Sequence, residues 1–132
     1  MKLIYLVVLS ISVFCNSTFA ECQFAKNIEI EKIKNSPFCW NESSKGWISK
    51  NCSEKTQCLA LNEIKKSKNL KKLAKKINLD GGKNLGTSLC KELSGIVLYS
   101  FSKIDESEST FCQFSDQSLI DTQSLQYVVL KK

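Results

Sequence analysis

Asn84-Leu85-Gly86-Thr87-Ser88-Leu89-Cys90-Lys91-Glu92-Leu93-Ser94-Gly95-Ile96-Val97-Leu98-Tyr99-Ser100-Phe101 is the stretch on which the fold turns. Its first half places Leu85, Leu89 and Leu93 on one face, the spacing of a short amphipathic helix. Ser94-Gly95 stops that helix. Ile96–Phe101, β-branched and aromatic, then reads as a strand. Working downstream, Lys103–Ser109 is an acidic loop carrying Asp105, Glu106 and Glu108, and its carboxylates read as a solvated hairpin tip. Thr110–Phe114 is a second strand, Ser115–Ser118 a turn, and Tyr127–Leu130 a third strand.

Upstream, the pattern changes to helix again. Ser53 is a plausible N-cap with Glu54 in the first turn. Leu70, Leu73, Ala74 and Ile77 form an i, i+3, i+4, i+7 stripe, out of phase with Leu59, Leu61 and Ile64. Two helices over 54–66 and 69–78, or one kinked helix, follow, ended by Asp80-Gly81-Gly82. Phe38–Cys58 reads as a hairpin or paired loop, with Trp40 and Trp47 covering a small core. Before it, Ile28–Glu31 alternates as a short strand and Asn35-Ser36-Pro37 is a turn. The expected class is α+β: a small disulfide-stapled domain with two or three short helices and a C-terminal β-hairpin or small antiparallel sheet.

The 132 residues include 19 Lys+Arg and 13 Asp+Glu, for a net charge of +6. Every cation is lysine, and histidine is absent. His-dependent triads and His-containing zinc sites are therefore excluded, and so is the bidentate arginine reader of phosphates and base edges. Leu3–Phe14 is an apolar run shorter than the ~20 residues that span a bilayer. With Thr18 and Ala20 at a cleavage site, residues 1–20 read as a secretory signal, leaving no transmembrane segment after cleavage. Removing Cys15 with that signal leaves Cys22, Cys39, Cys52, Cys58, Cys90 and Cys112. An even count in a small exported chain points to three disulfides, and none of the gaps has Cys-x-x-Cys metal spacing. Six cysteines allow 15 pairings, among which the sequence does not choose. The expected organisation is a signal peptide over 1–20, a Cys-rich region with a basic helix over 21–82, and a helix-plus-hairpin module over 83–132.

That last module resembles a known family. Asn84, Cys90, Gly95, Cys112, Phe114, Asp116 and Ser118 match the pattern Asn-Pro-Ala-x-x-x-Cys, a Gly-Gly turn, then Cys-x-Phe-x-Asp-Gly-Ser. This is the pattern of the domain-of-unknown-function-333 family, small bacterial envelope proteins that carry a hemolysin label. Leu85 replaces the Pro, Ser94 the first Gly of the turn and Gln117 the Gly of Asp-Gly, and Ile120 stands in the region where a further Cys commonly follows. The resemblance implies an exported domain of helix, hairpin and tail, with no established chemistry. Beside it, a Cys90–Cys112 bridge joining helix to strand is the pairing expected, with the other four cysteines pairing among themselves.

Lys65, Lys66, Lys68, Lys71, Lys72, Lys75 and Lys76 form a cationic stripe without a carboxylate among them. With Leu70, Leu73, Ala74 and Ile77 opposite, this is a basic amphipathic pattern. Its expected partners are an anionic envelope polymer, lipid or another envelope protein. Nucleic acid is set aside, because the chain reads as exported, lacks arginine and has no aromatic interleaved with the lysines. No catalytic residue, metal site or cofactor is expected. The leading reading is a periplasmic or secreted binding module; the alternatives are a membrane-active, toxin-like protein and an inhibitor of an envelope enzyme.

Overall fold

A computed structural model describes residues 22–24, 28–30, 37–54, 58–103 and 106–131. The signal sequence, its cleavage site and Cys15 lie outside them, as do the side chain of Cys22 and most of the turn expected at 35–37. The elements run β1 (Cys22–Phe24), β2 (Ile28–Ile30), β3 (Pro37–Asn41), β4 (Gly46–Ser49), α1 (Lys50–Glu54), α2 (Leu59–Lys65), α3 (Ser67–Ala74), α4 (Leu85–Glu92), β5 (Ile96–Ser102), β6 (Glu108–Gln113), β7 (Leu119–Asp121) and α5 (Thr122–Leu130). The chain is a small α+β domain. Among the described residues the sheet has seven strands, in the order β1-β3-β4-β7-β6-β5-β2, all antiparallel.

The three-residue β7 stitches this sheet together. It lies between β4 and β6, pairing Ile120 with Ile48 on one side and with Cys112 on the other. The Ser49 hydroxyl reinforces the short β4–β7 contact, accepting from the Leu119 N–H at 2.7 Å and donating to the Leu119 carbonyl at 3.3 Å. The 21–82 and 83–132 regions thus contribute to one sheet and one core.

Helices cover one face. Ile48, Cys112 and Ile120 from the sheet pack with Ala60 and Ile64 of α2, Leu70 of α3, Leu89 of α4, and Leu125 and Val128 of α5. A second cluster, Phe38, Leu98, Phe111 and Leu119, occupies the other face. In a flat sheet β3 and β6 would stand ~14 Å apart at the usual strand spacing. Yet the Phe38 and Phe111 ring centroids are 4.8 Å apart, so the sheet curls over this face. Trp47 packs on the same cluster and meets Trp40 edge-on at 5.3 Å. The Trp40 indole donates to Glu42 at 2.9 Å, its ring partly in solvent.

Three local readings are corrected. Tyr127–Leu130 is the end of helix α5, not a strand. Asp121 caps that helix, its Oδ1 accepting from the Gln123 N–H at 2.7 Å, and Leu125 and Val128 fall on its buried face. Ser53 lies inside α1, and Cys58 is the N-cap of α2, its sulfur accepting from the Leu61 N–H. The break in the basic segment comes at Lys66, between α2 and α3, slightly before the phase change in the sequence.

Cys52 is bonded to Cys58 and Cys90 to Cys112. Cys39 is also disulfide-bonded, and the strand residue opposite it is Cys22. Gly86 lets α4 approach α5 closely, since a Cβ there would run into the Thr122 carbonyl. Gly95 does the same for the bridge beside it, where a Cβ would press on the Cys90 and Cys112 sulfurs.

Candidate functional site

The residues of the family-like pattern build the frame. Asn84 caps α4, its Oδ1 accepting from the Gly86 and Thr87 N–H groups at 2.8 and 3.2 Å. Cys90 and Cys112 staple α4 to β6, Gly95 makes room for the bridge, and Phe114 is buried in the helix-covered core. Asp116 and Ser118 have a role that sequence spacing does not reveal. They reach across the fold to the start of α2: Asp116 accepts from the Leu59 N–H at 2.8 Å, and the Ser118 hydroxyl from the Ala60 N–H at 3.1 Å. The β6–β7 turn thus satisfies donors that the first turn of a helix leaves open.

Asp116 in the β6–β7 turn and Asp121 at the end of β7 are shifted in opposite senses. Burial raises Asp116, but hydrogen bonds from the Leu59 N–H and from the Ser118 hydroxyl and N–H outweigh it, and its carboxyl ends below the usual range. Burial dominates at Asp121 and raises its carboxyl, only partly offset by the Gln123 N–H. The Asp116 contribution to stability is therefore present above the ordinary carboxylate range and is lost as pH falls through its lowered folded value. That of Asp121 is present at low pH and is lost as pH rises through its raised value. Asp116→Asn should accordingly flatten the acid limb of the stability profile. Urea midpoints measured from about pH 7 down to about pH 2 should fall less steeply on acidification in the variant than in the wild type. An unchanged slope refutes the capping role.

The lysine stripe is brought together as one surface. Lys65, Lys66, Lys68, Lys71, Lys72, Lys75 and Lys76 are all exposed on α2, α3 and the turn that follows. Lys66 pairs with Glu63 at 3.0 Å, and Lys71 donates to the Lys131 carbonyl at 2.8 Å. The remaining five meet no carboxylate among the described residues. On the opposite side of the helix Leu70 is 1% exposed, while Leu73, Ala74 and Ile77 pack half-buried against the core. A cavity of about 290 Å³ opens beside this surface, with Lys65, Lys71 and Lys131 on its rim and Ile64 and Val128 in its floor.

A larger groove, of about 820 Å³, lies elsewhere, between α4 and the β5–β6 ladder. The sequence does not announce it, because β5 carries large apolar residues at both alternating sets of positions and neither face is marked as open. The acidic tip between β5 and β6 is described only in part: Asp105 lies outside the described residues, and Glu106 and Glu108 are exposed. Among the described residues no cluster of His, Cys, Asp and Glu could hold a metal ion.

Fold and surface together define a small disulfide-stapled α+β domain with a cationic helical face. Its disulfides fit an oxidising compartment. No helix among the described residues is long and apolar enough to cross a membrane. No protein-family model, curated protein or solved structure matches the chain.

Proposed function

We propose that this protein is an exported binding module that docks on an anionic envelope surface through the lysines of α2 and α3. One observation carries the reading: the apolar stripe of the basic helix is packed into the core while all seven lysines face solvent. A helix so arranged has no free apolar face to insert into lipid, which weighs against a membrane-active role. Its charge remains available for docking, and each lysine near an anionic surface contributes about 1 kcal/mol. Such attraction is screened over ~8 Å at physiological salt.

The test is a variant with Lys68, Lys72, Lys75 and Lys76 all changed to Gln, four lysines without a carboxylate partner among the described residues. It should fold as the wild type does. Its affinity for phosphatidylglycerol vesicles, measured by co-sedimentation at low salt, should drop about fivefold per lysine removed. Wild-type binding should vanish in high salt and on neutral phosphatidylcholine vesicles. A variant that binds as before leaves the lysines as a solubilising surface.

Membership of the domain-of-unknown-function-333 family belongs to the same proposal and has its own support. Two of its departures, Ser94 and Gln117, stand where that pattern has glycine, and both adopt left-handed backbone, with φ of 60° and 64°. Those are conformations that glycine adopts without cost. This reading places the protein in the periplasm or outside a bacterial cell.

A further inference from the structure

We infer that the groove between α4 and the β5–β6 ladder is a binding site for a short neutral glycan, separate from the lysine face. The ladder register explains why the groove exists. Val97 faces Cys112, and Tyr99 faces Thr110, on the helix-covered side of the sheet. The Cys90–Cys112 bridge holds α4 over the first of these pairs. At the next pair along the ladder Thr110 meets only Thr122, the first residue of α5, and Tyr99 is left 66% exposed. Thr87 and Lys91 of α4 form one wall, and Thr122 and Gln123 at the start of α5 close one end. The volume, about 820 Å³, falls in the range of small-ligand sites, roughly 300–1,000 Å³.

The chemistry of the lining selects the ligand class. An exposed phenol ring is a flat apolar platform with a polar tip, suited to the C–H face of a pyranose. Around it stand hydroxyls and amides that both donate and accept. Thr110 and Thr122 share a hydrogen bond of 2.6 Å between their hydroxyls and retain lone pairs for a ligand. The amide nitrogen of Asn84 has no partner among the described residues, its oxygen being engaged at the helix cap. One cation, Lys91, and one carboxylate, Glu108, offset each other, so the groove does not select a charged ligand.

The test titrates the isotope-labelled, oxidised protein with maltotriose, cellotriose and tri-N-acetylchitotriose, following amide shifts by NMR. At least one trisaccharide should bind, with shifts concentrated at Thr87, Tyr99, Thr110 and Gln123. Tyr99→Ala should lower that affinity about tenfold or more, because the stacking platform is gone. Tyr99→Trp should retain it, and the four-lysine Gln variant should bind the sugar as the wild type does. The inference is overturned if no trisaccharide binds at millimolar concentration, if shifts fall outside the groove, or if Tyr99→Ala leaves the affinity unchanged. It is equally overturned if the sugar is lost in the lysine variant, since binding would then follow charge. Failure of vesicle binding by the lysine face has no bearing on these readouts, so the two sites stand or fall separately.

Discussion

Leu70→Asp is expected to leave the chain unfolded in buffer at room temperature. Leu70 is 1% exposed and sits where α3 meets the core shared by α2, α4 and α5. Truncating a buried leucine costs about 2–5 kcal/mol on its own. Aspartate adds a carboxylate with no cation facing it from the core among the described residues, so the group must either be buried charged or be protonated, and both are costly. Total stabilities of small domains are about 5–15 kcal/mol, and the sum uses up most of that. Far-UV circular dichroism and urea titration measure the loss. The same change at half-buried Leu73 should cost less, because its carboxylate can turn toward solvent. The four-lysine Gln variant is the control, since exposed changes stay within about 0.5 kcal/mol each. A folded Leu70→Asp protein that no longer binds vesicles would reverse the proposed function, making the apolar stripe the membrane-facing surface.

The second large effect is expected from Cys90→Ala with Cys112→Ala. The bridge closes a loop of 22 residues, and in the chain-entropy model its removal costs ~3 kcal/mol by loosening the unfolded state's constraint. Both cysteines are fully buried, and Gly95 is shaped around them, so the folded state loses packing as well. Cys52→Ala with Cys58→Ala removes a loop of only 6 residues and should cost less, about 2 kcal/mol. Urea midpoints of the two double variants should fall in that order. The Cys90/Cys112 variant should also weaken the glycan groove, since the bridge holds α4 as its wall. Reversal of the order would show that native-state packing outweighs loop entropy here.

Local pattern made some of the fold legible. Leu85, Leu89 and Leu93 announce α4 by helical spacing, and Ile96–Phe101 announces β5 by residue type. The stripe of Leu70, Leu73, Ala74 and Ile77 separates from its lysines along the chain itself, so an apolar face and a basic face could be read before either was placed. These signals survive because each depends on residues within two or three turns of one another. Val128 and Val129 favour a strand by propensity, yet they lie in α5. The ladder position beside β6 is taken by Leu119–Asp121, and the Asp121 cap starts a helix immediately after it. A three-residue strand such as β7 has no periodicity of its own to read.

By itself the sequence determined the class of this protein: a small α+β chain, rich in cysteine, with one helical surface made cationic by seven lysines. Composition and short-range periodicity suffice for that, because burial pattern and net charge are properties of neighbouring residues. Only the tertiary structure decided the rest. The turn at Asp116 and Ser118 caps α2, 57 and 58 positions upstream, and no local pattern encodes a hydrogen bond across that separation. Gly86 matters because α5 lies against it, and Tyr99 stands open because the Cys90–Cys112 bridge holds α4 one residue pair away. Each of these depends on the relative placement of elements far apart in the chain. That placement is settled by how the whole core packs, and the local sequence around each residue does not carry it.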